Sequence, residues 1–346
     1  MKIVHVLGTD RLSGAENVHL GILRSLKEGN EVVYASPDGP IRESVEAAGV
    51  RFLPCDTDDV SVLKRLYKDE RPDVVHSCDP RISFKCALAR IPFIAHLHCN
   101  CPWMGKFSPN SLALRYAVRR ASAVIAVSDS IPEGFVFKKA FGTKLRVIPN
   151  VVDRERVGRM AAEAYDGEFD LIYVGRFSAE KRPLVFLNVV RRLTERLPHL
   201  TAAMVGDGDL RGEAERFIKD NGMTNVTLTG FDPNPYRIMA RSKINVLTSE
   251  CEGFGLSAVE GMILSKPIVA FPSGGITKIA ESGGAICGTE DEMTEKLYKL
   301  LTDAEEYSRL SAKAGAASYD YTDTASYIGK ITEIYEAHIR SAEDDK

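Results

Sequence analysis

Two glutamates flank a glycine-bounded aromatic residue in the segment SECEGFGLSAVEGM, residues 249–262. The glycines interrupt any continuous helix, so we expect Glu252 in a loop and Glu260 in the first turns of a helix that begins near residues 256–257. Two carboxylates can accept hydrogen bonds from two separate polyol groups, and the N–H groups at a helix start attract an anion. A purely structural role for either glutamate is the alternative.

A basic loop follows a predicted strand at YVGRFSAEKRP, residues 173–183. Arg176 supplies a planar guanidinium and Lys181 a compact ammonium five residues later. This pair is suited to a diphosphate, whose charge is spread over several oxygens. Ordinary solvated surface charge is the competing interpretation.

A glycine-containing loop follows the first predicted strand, in LGTDRLSGAENVHLGIL, residues 7–23. Gly14 near a helix start could let backbone N–H groups meet a phosphate, or could only permit a tight turn. The spacing between Gly8 and Gly14 does not match GxGxxG, which disfavours a nicotinamide or flavin dinucleotide as cofactor.

These loops need strands to position them, and short apolar runs alternate with helical segments along most of the chain. Seven strand-like runs occur in the first 150 residues, and the alternation of strand-like and helical segments begins again at residues 169–175. The pattern predicts two doubly wound α/β domains, whose ligands lie beyond the carboxyl ends of the strands and in the cleft between domains. We expect domains at 1–157 and 158–322, and a C-terminal helix at 323–346 that packs back toward the first domain.

The composition is that of a globular protein, with 44% apolar and 27% charged residues and a net charge of −3. It excludes disordered and membrane-spanning classes. Seven scattered cysteines and an N-terminus without a signal-like segment predict a reduced, cytoplasmic setting.

An ordered set of segments resembles the retaining glycosyltransferases of family 4, which have the GT-B fold of two facing Rossmann-like domains. The segment ECEGFGLSAVEGM resembles the family's E-x7-E signature, and VGRFSAEKRP resembles its phosphate-binding loop. SGAE at 13–16 resembles the glycine-rich loop, and PFIAHLH ends at His98, which matches an acceptor-side histidine. VIPNVVD, VGDGDLR and LTGF agree in order, so the resemblance extends to about residue 290.

The resemblance implies a role for each matching residue. The catalytic residues would be Glu252, on the transferred sugar, and His98, which orients the sugar or diphosphate. The donor would be a sugar nucleotide, a substrate rather than a cofactor, and no metal is expected. Donor binding would use Arg176 and Lys181 on the diphosphate, Glu260 on the ribose, the backbone at Phe254, Gly255 and Leu256, Gly14 on the diphosphate, and Phe231 near the base.

Three positions depart from the family pattern. Val151 stands where glycine is common, Gly261 replaces the usual alanine, and Lys278 occupies the place of a glutamate. The change at Lys278 could alter contacts with the donor sugar or the acceptor.

The run HLHCNC offers four metal-ligating side chains: His96, His98, Cys99 and Cys101. Adjacent side chains of an extended run alternate in direction, and CxC lacks the spacing of common zinc sites, so we predict no metal here.

Residues 103–146 contain eight basic and two acidic residues, interleaved with large apolar side chains. This pattern favours a surface that lies against anionic headgroups of the inner membrane leaflet and presents a lipid-linked acceptor. A solvated basic face over an ordinary core is the alternative.

The sequence therefore predicts a cytoplasmic, membrane-peripheral retaining glycosyltransferase. We expect it to move a sugar from a nucleotide donor, a uridine diphosphate sugar first, to a glycan or lipid-linked acceptor in the synthesis of cell-surface polysaccharide or glycolipid, with no nucleic-acid partner. A sugar-nucleotide epimerase of the same fold and a non-catalytic sugar-nucleotide-binding protein are the alternatives.

Overall fold

The computed structural model describes residues 1–344, with side chains up to Ser341. The chain divides into two compact units. One runs from Met1 to Val151 and includes the C-terminal helix from Thr324, and the other runs from Val152 to Asp323. Each unit is an α/β layer structure around a parallel sheet.

The first unit alternates strands and helices from its first residues. Its strands are β1 (Lys2–Val6), β2 (Glu31–Ser36), β3 (Arg51–Pro54), β4 (Val74–Cys78), β5 (Ile94–Leu97), β6 (Ala123–Ala126) and β7 (Leu145–Val147). Its helices are α1 (Gly14–Leu26), α2 (Ile41–Ala47), α3 (Val60–Glu70), α4 (Asp79–Ala89), α5 (Pro109–Arg120) and α6 (Ser130–Glu133).

The second unit repeats the same alternation. Its strands are β8 (Phe169–Val174), β9 (Ala202–Val205), β10 (Val226–Gly230), β11 (Ser242–Leu247), β12 (Ile268–Ala270) and β13 (Gly284–Ile286). Its helices are α7 (Arg154–Ala161), α8 (Pro183–Thr194), α9 (Arg211–Asp220), α10 (Pro235–Ala240), α11 (Leu256–Ile263), α12 (Ile276–Gly283), α13 (Glu290–Thr302) and α14 (Ala304–Ala317). The C-terminal helix α15 (Thr324–Asp344) follows.

All described strand pairs in both sheets are parallel. The strand orders are β3-β2-β1-β4-β5-β6-β7 and β10-β9-β8-β11-β12-β13. The prediction of two doubly wound α/β domains is confirmed. In each sheet the order reverses once, between β1 and β4 and between β8 and β11, and such switch points are where ligands bind in this architecture.

Burial on both faces explains why the strands read as continuous apolar runs. In β8, Leu171 and Tyr173 pack into one apolar cluster and Ile172 into the other. The strand β13 was not predicted, because three residues beginning with glycine carry no strand pattern.

The predicted boundary at residue 157 differs from the observed division at Val151. Helix α7 belongs to the second unit because it packs against α10 and α11. Helix α15 groups with the first unit and packs against α1 and β4.

Candidate functional site

The loops after β8 and β11 are tied together by their backbones. The buried Thr248 donates from its hydroxyl to the carbonyls of Lys181 and Arg182, at 3.0 Å each. The Glu250 amide also donates to the Glu180 carbonyl at 2.8 Å. These bonds join the basic loop to Thr248 and Glu250, just before Glu252, at the switch point of the second sheet.

Two of the predicted site residues form an ion pair at this junction. The Lys181 ammonium donates to Oε2 of Glu252. The two side chains are 28% and 14% exposed, so the pair is partly shielded from water. Arg176 is exposed in the same loop as Lys181 and has no ion-pair partner in the described part of the chain. The site therefore offers one free cation and one cation held by a carboxylate.

A glycine turn carries the chain from Glu252 into α11. Gly255 precedes the helix with a φ of 101°, a left-handed conformation that favours glycine, and a Cβ there would lie 3.0 Å from Ile276. The Gly275 amide donates to the Glu252 carbonyl at 3.1 Å. Helix α11 therefore begins at Leu256, four residues after the glutamate of the ion pair.

Glu260 lies in the second turn of α11 and accepts a hydrogen bond from the Tyr236 hydroxyl at 2.9 Å. Burial raises the pKa of Glu260, while the Tyr236 hydrogen bond and the charge of Arg156 act in the opposite direction. Sequence reasoning missed Tyr236, because a single tyrosine in a six-residue helix carries no signal for a partner 24 residues away.

The loop after β9 supports the loop after β8 by close backbone approach. A Cβ on Gly206, whose φ is 142°, would lie 1.9 Å from the Gly175 carbonyl oxygen. The Phe177 amide donates to the Asp207 carbonyl at 2.9 Å. Gly206, the first glycine of VGDGDLR, is therefore required for the position of the loop that carries Arg176.

Phe231 follows β10, the edge strand of the second sheet, and its side chain is 60% exposed. Three strand spacings separate β10 from β11, which places Phe231 about 14 Å from the strand that leads to Glu252. The structure does not bring Phe231 into contact with the ion pair. Lys278 is exposed on α12.

At the switch point of the first sheet, α1 begins with the exposed Gly14. The preceding Ser13 donates from its hydroxyl to the buried Glu16 carboxylate. Asp79, directly after β4, has a φ of 77°, which is rare for a residue other than glycine. Burial raises the pKa of Asp79 to about 6. No sequence signal marked this buried carboxyl group or its unusual backbone conformation.

His98 follows β5 and lies against another histidine that the sequence did not single out. Its Nε2 is 3.0 Å from Nε2 of His19. Burial lowers the pKa of His98 to about 3. His98 is therefore a neutral imidazole with one nitrogen already hydrogen-bonded.

The ligand set considered for HLHCNC does not form in the described residues. Cys99 and Cys101 lie with their sulfurs 3.0 Å apart, whereas His96 and His98 join other histidines. Two groups of metal-ligating atoms within 4.8 Å of one another occur in the described part of the first unit: His5, His19 and His76, and His19, Cys78 and His98.

Two curated relatives align with large parts of the chain. Alpha-D-kanosaminyltransferase of Streptomyces kanamyceticus is 26% identical over 63% of this chain and 62% of its own length. Sulfoquinovosyl transferase SQD2 of Arabidopsis thaliana is 26% identical over 90% of this chain and 68% of its own. The match thus spans less than two thirds of the first relative.

Among solved structures, Anabaena HepE in complex with UDP-glucose superposes with a TM-score of 0.85 and 21% identity. The match covers 97% of this chain and 100% of HepE, and it supports the GT-B fold. Residues 12–156 match Glycosyltransferase Family 4, and residues 159–316 match Glycosyl transferases group 1. These two matches follow one another along the chain and together cover most of it, so the protein belongs to the glycosyltransferases.

Proposed function

We propose that the protein is a retaining glycosyltransferase that moves a sugar from a uridine diphosphate donor to a glycan or lipid-linked acceptor in the synthesis of cell-surface polysaccharide or glycolipid. The observation that carries this proposal is the Lys181–Glu252 ion pair at the β8/β11 switch point, beside the start of α11. The UDP and UDP-glucose complexes of HepE support uridine as the base.

The reaction breaks the bond between the anomeric carbon and the donor phosphate oxygen, which keeps the electron pair. Arg176, Lys181 and the first amides of α11 stabilise the negative charge that develops on the diphosphate. These fixed positive groups supply the charge stabilisation, so the proposed mechanism uses no metal.

The acceptor hydroxyl bonds to the anomeric carbon on the face that the phosphate leaves, and its proton passes to the leaving phosphate oxygen. Retention of configuration in this scheme rests on the resemblance to family 4. Glu252 holds a hydroxyl of the transferred sugar, and Glu260 holds the ribose. His98 and Gly14 belong to the first unit, and their contacts with the donor are proposed from the same resemblance.

The experiment is incubation of the full-length protein with UDP-, GDP- and ADP-sugars, each with and without crude glycolipid acceptor, followed by mass spectrometry. New sugar on an acceptor, or slow hydrolysis of a uridine donor, supports transfer. An altered donor sugar indicates an epimerase. An unchanged donor that nevertheless stabilises the protein in a thermal-shift assay indicates a binding protein. Stabilisation confined to guanosine compounds would refute the uridine donor.

The proposed membrane face is smaller than the sequence predicts. Met104, Phe135 and Phe141 are buried core residues. The Lys144 ammonium donates to the carbonyls of Arg119 and Ala121 at 3.0 and 2.8 Å. The three apolar side chains are therefore removed from the surface that could meet lipid, and the ammonium of the exposed Lys144 is held by two carbonyls.

A compact patch remains around Phe107, whose side chain is 74% exposed. Its ring packs edge-on to Phe137 with centroids 5.7 Å apart, and the Arg115 guanidinium lies 4.9 Å from the Phe137 centroid. Exposed Lys138 and Lys139 follow in the chain. We propose that this patch inserts Phe107 among anionic headgroups. No helix among residues 1–344 is both long and apolar enough to cross a membrane.

Vesicle co-sedimentation tests the patch. We expect binding that increases with the fraction of anionic lipid and falls several-fold in Phe107→Ser. Tyr319→Ser is the matched control, because Tyr319 is a 65% exposed aromatic residue of the second unit. Binding that is independent of anionic lipid, or equal losses in the two variants, would refute the docking proposal.

A further inference from the structure

Five of the seven histidines of the chain lie together in the first unit, with one tyrosine from α15. Four of these rings and the tyrosine have no exposed surface, and His98 is half-buried. They come from β1, α1, β4, β5 and the residue after β5. We call this set the histidine chain: His5, His19, His76, His96, His98 and Tyr335.

The Tyr335 hydroxyl lies at the middle of the histidine chain, and one arm leads from it to His98. The hydroxyl oxygen is 2.8 Å from Nε2 of His5. Nδ1 of His5 is 2.8 Å from Nδ1 of His19, and Nε2 of His19 is 3.0 Å from Nε2 of His98. Three hydrogen bonds therefore connect Tyr335 to His98.

The second arm leads from the same hydroxyl to His96. The hydroxyl oxygen is 2.6 Å from Nδ1 of His76, and Nε2 of His76 is 3.1 Å from Nδ1 of His96. The histidine chain ends at Nε2 of His96 and at Nδ1 of His98. Both atoms are buried and have no hydrogen-bond partner among the described residues. The six groups thus form one unbranched line with two unpaired ends.

Counting protons, together with the need to pair the buried Tyr335 hydroxyl proton, restricts this line to two arrangements. Burial lowers the pKa of all five histidines, so each ring is neutral and has one N–H and one lone pair. Each contact between two groups needs one proton. The Tyr335 hydroxyl has a single proton, and its hydrogen-bond partners among the described residues are His5 and His76. If it accepted from both arms, that buried proton would be unpaired, so it donates to one arm and accepts from the other.

In the first arrangement Tyr335 donates to His5, and every bond of that arm points away from the hydroxyl. His98 then carries its proton on Nδ1, and Nε2 of His96 is an acceptor. In the second arrangement Tyr335 donates to His76, all five bonds reverse, and Nδ1 of His98 becomes an acceptor. The tautomers of all five histidines are therefore coupled to one another.

We propose that Tyr335 is a positioning residue that, through the histidine chain, sets whether Nδ1 of His98 donates or accepts a hydrogen bond. This inference rests on the proposed function, in which His98 contacts the donor. Because Nε2 of His98 is bonded to His19, a hydrogen bond from His98 to a ligand must use Nδ1. The arrangement with Tyr335 donating to His5 places a proton on that atom, which suits a sugar oxygen or a developing phosphate charge.

A metal ion in place of the hydrogen bonds fits the distances less well. Two nitrogens bound to tetrahedral zinc at about 2.0–2.1 Å lie about 3.3 Å apart. The Nδ1 atoms of His5 and His19 are 2.8 Å apart, which is a hydrogen-bond distance. Metal binding is therefore an outcome that the experiment must detect rather than the inference we draw.

The test uses full-length protein labelled with 15N-histidine and long-range 1H–15N correlation spectra, which report the protonated nitrogen of each ring. We expect neutral rings in one coupled set: either His19 protonated on Nε2 and the other four on Nδ1, or the inverse. Addition of UDP-glucose should move the His98 signals. Tyr335→Phe breaks the link between the arms, so the His98 nitrogen shifts should change and kcat should fall about tenfold, the scale of one hydrogen bond.

Tyr327→Phe is the matched control. Tyr327 lies on the same helix, and its buried hydroxyl has no hydrogen-bond partner among the described residues. This variant should leave both the histidine spectrum and kcat unchanged.

Three results would overturn the proposal: an imidazolium among the five rings at pH 7, an unaltered His98 tautomer and kcat in Tyr335→Phe, or zinc that co-purifies stoichiometrically and is bound by His5, His19 and His76. Absence of transfer with every donor would refute the proposed function alone. The nitrogen shifts of Tyr335→Phe and their response to UDP-glucose would then decide the role of Tyr335 by themselves.

Discussion

Replacing Glu252 with glutamine tests the paired roles of Lys181 and Glu252 most directly. In the free protein the Lys181 ammonium donates to the Glu252 carboxylate. A bound diphosphate would share that ammonium, and two groups that each lie about 2.8 Å from one nitrogen are about 4–5 Å from each other. Their repulsion is about 1 kcal/mol in a dielectric like water and about 4 kcal/mol at an effective constant of 20. The partial exposure of the pair, 28% and 14%, favours the lower part of this range.

Glu252→Gln should therefore bind UDP, which has no sugar, at least about fivefold more tightly, since 1.4 kcal/mol corresponds to about tenfold. The same variant should transfer sugar at least about tenfold more slowly, because it loses a charge-assisted hydrogen bond to the sugar worth about 1.5–3 kcal/mol. Lys181→Met should weaken UDP binding. Calorimetry with UDP and steady-state rates with the sugar donor measure the two effects.

Glu250→Gln is the control for Glu252→Gln, because Glu250 is an exposed glutamate two residues earlier in the same loop. It should change neither UDP affinity nor rate. Weaker UDP binding with an unchanged kcat in Glu252→Gln would refute the assignment of Glu252 to the sugar and of Lys181 to the diphosphate.

Three further predictions concern the surroundings of the site. Tyr236→Phe removes a hydrogen bond that lowers the pKa of Glu260, so the loss of UDP affinity on acidification should begin at a higher pH than in the wild type; coincident calorimetric pH profiles would contradict this. Gly206→Ala places a Cβ 1.9 Å from the Gly175 carbonyl oxygen and should lower the free energy of unfolding of the second unit by about 2–4 kcal/mol. The control is Gly212→Ala, where a Cβ meets nothing within 4 Å, and it should raise the free energy of unfolding slightly. Equal thermal shifts of the two variants would refute the packing argument. The pKa of Asp79 rises from 3.8 to about 6 on folding, so its contribution to stability becomes increasingly unfavourable as pH rises from 3.8 to about 6 and is constant above that; Asp79→Asn should raise the melting temperature more at pH 7.5 than at pH 5, and a pH-independent difference would show that Asp79 does not titrate there.

The pattern of apolar runs was sufficient to predict the strands that carry the site. Twelve of the thirteen strands were predicted, because a strand buried on both faces must be apolar along its length. The positions of Arg176, Lys181 and Glu252 after strands also followed from the sequence, because parallel strands present their carboxyl ends at one edge of a sheet. The ion pair between Lys181 and Glu252 did not follow, since the two residues are 71 positions apart.

The size of the basic aromatic surface could not be read from composition. Phe107 and Phe141 belong to the same interleaved pattern, yet one is 74% exposed and the other 2%. Spacing in an irregular segment does not define a face, because no fixed period relates residue number to direction there.

By itself the sequence determined the two-domain α/β architecture, the glycine turns and the loops that hold charged side chains, because these depend on local periodicity and backbone sterics. Tertiary structure alone decided which polar groups become partners. His5 and Tyr335 are 330 residues apart, and Tyr236 reaches Glu260 from a different helix. Each of these side chains sits in an ordinary apolar or helical context, and pairing is favoured only after folding buries them, because an unpaired buried polar group costs free energy.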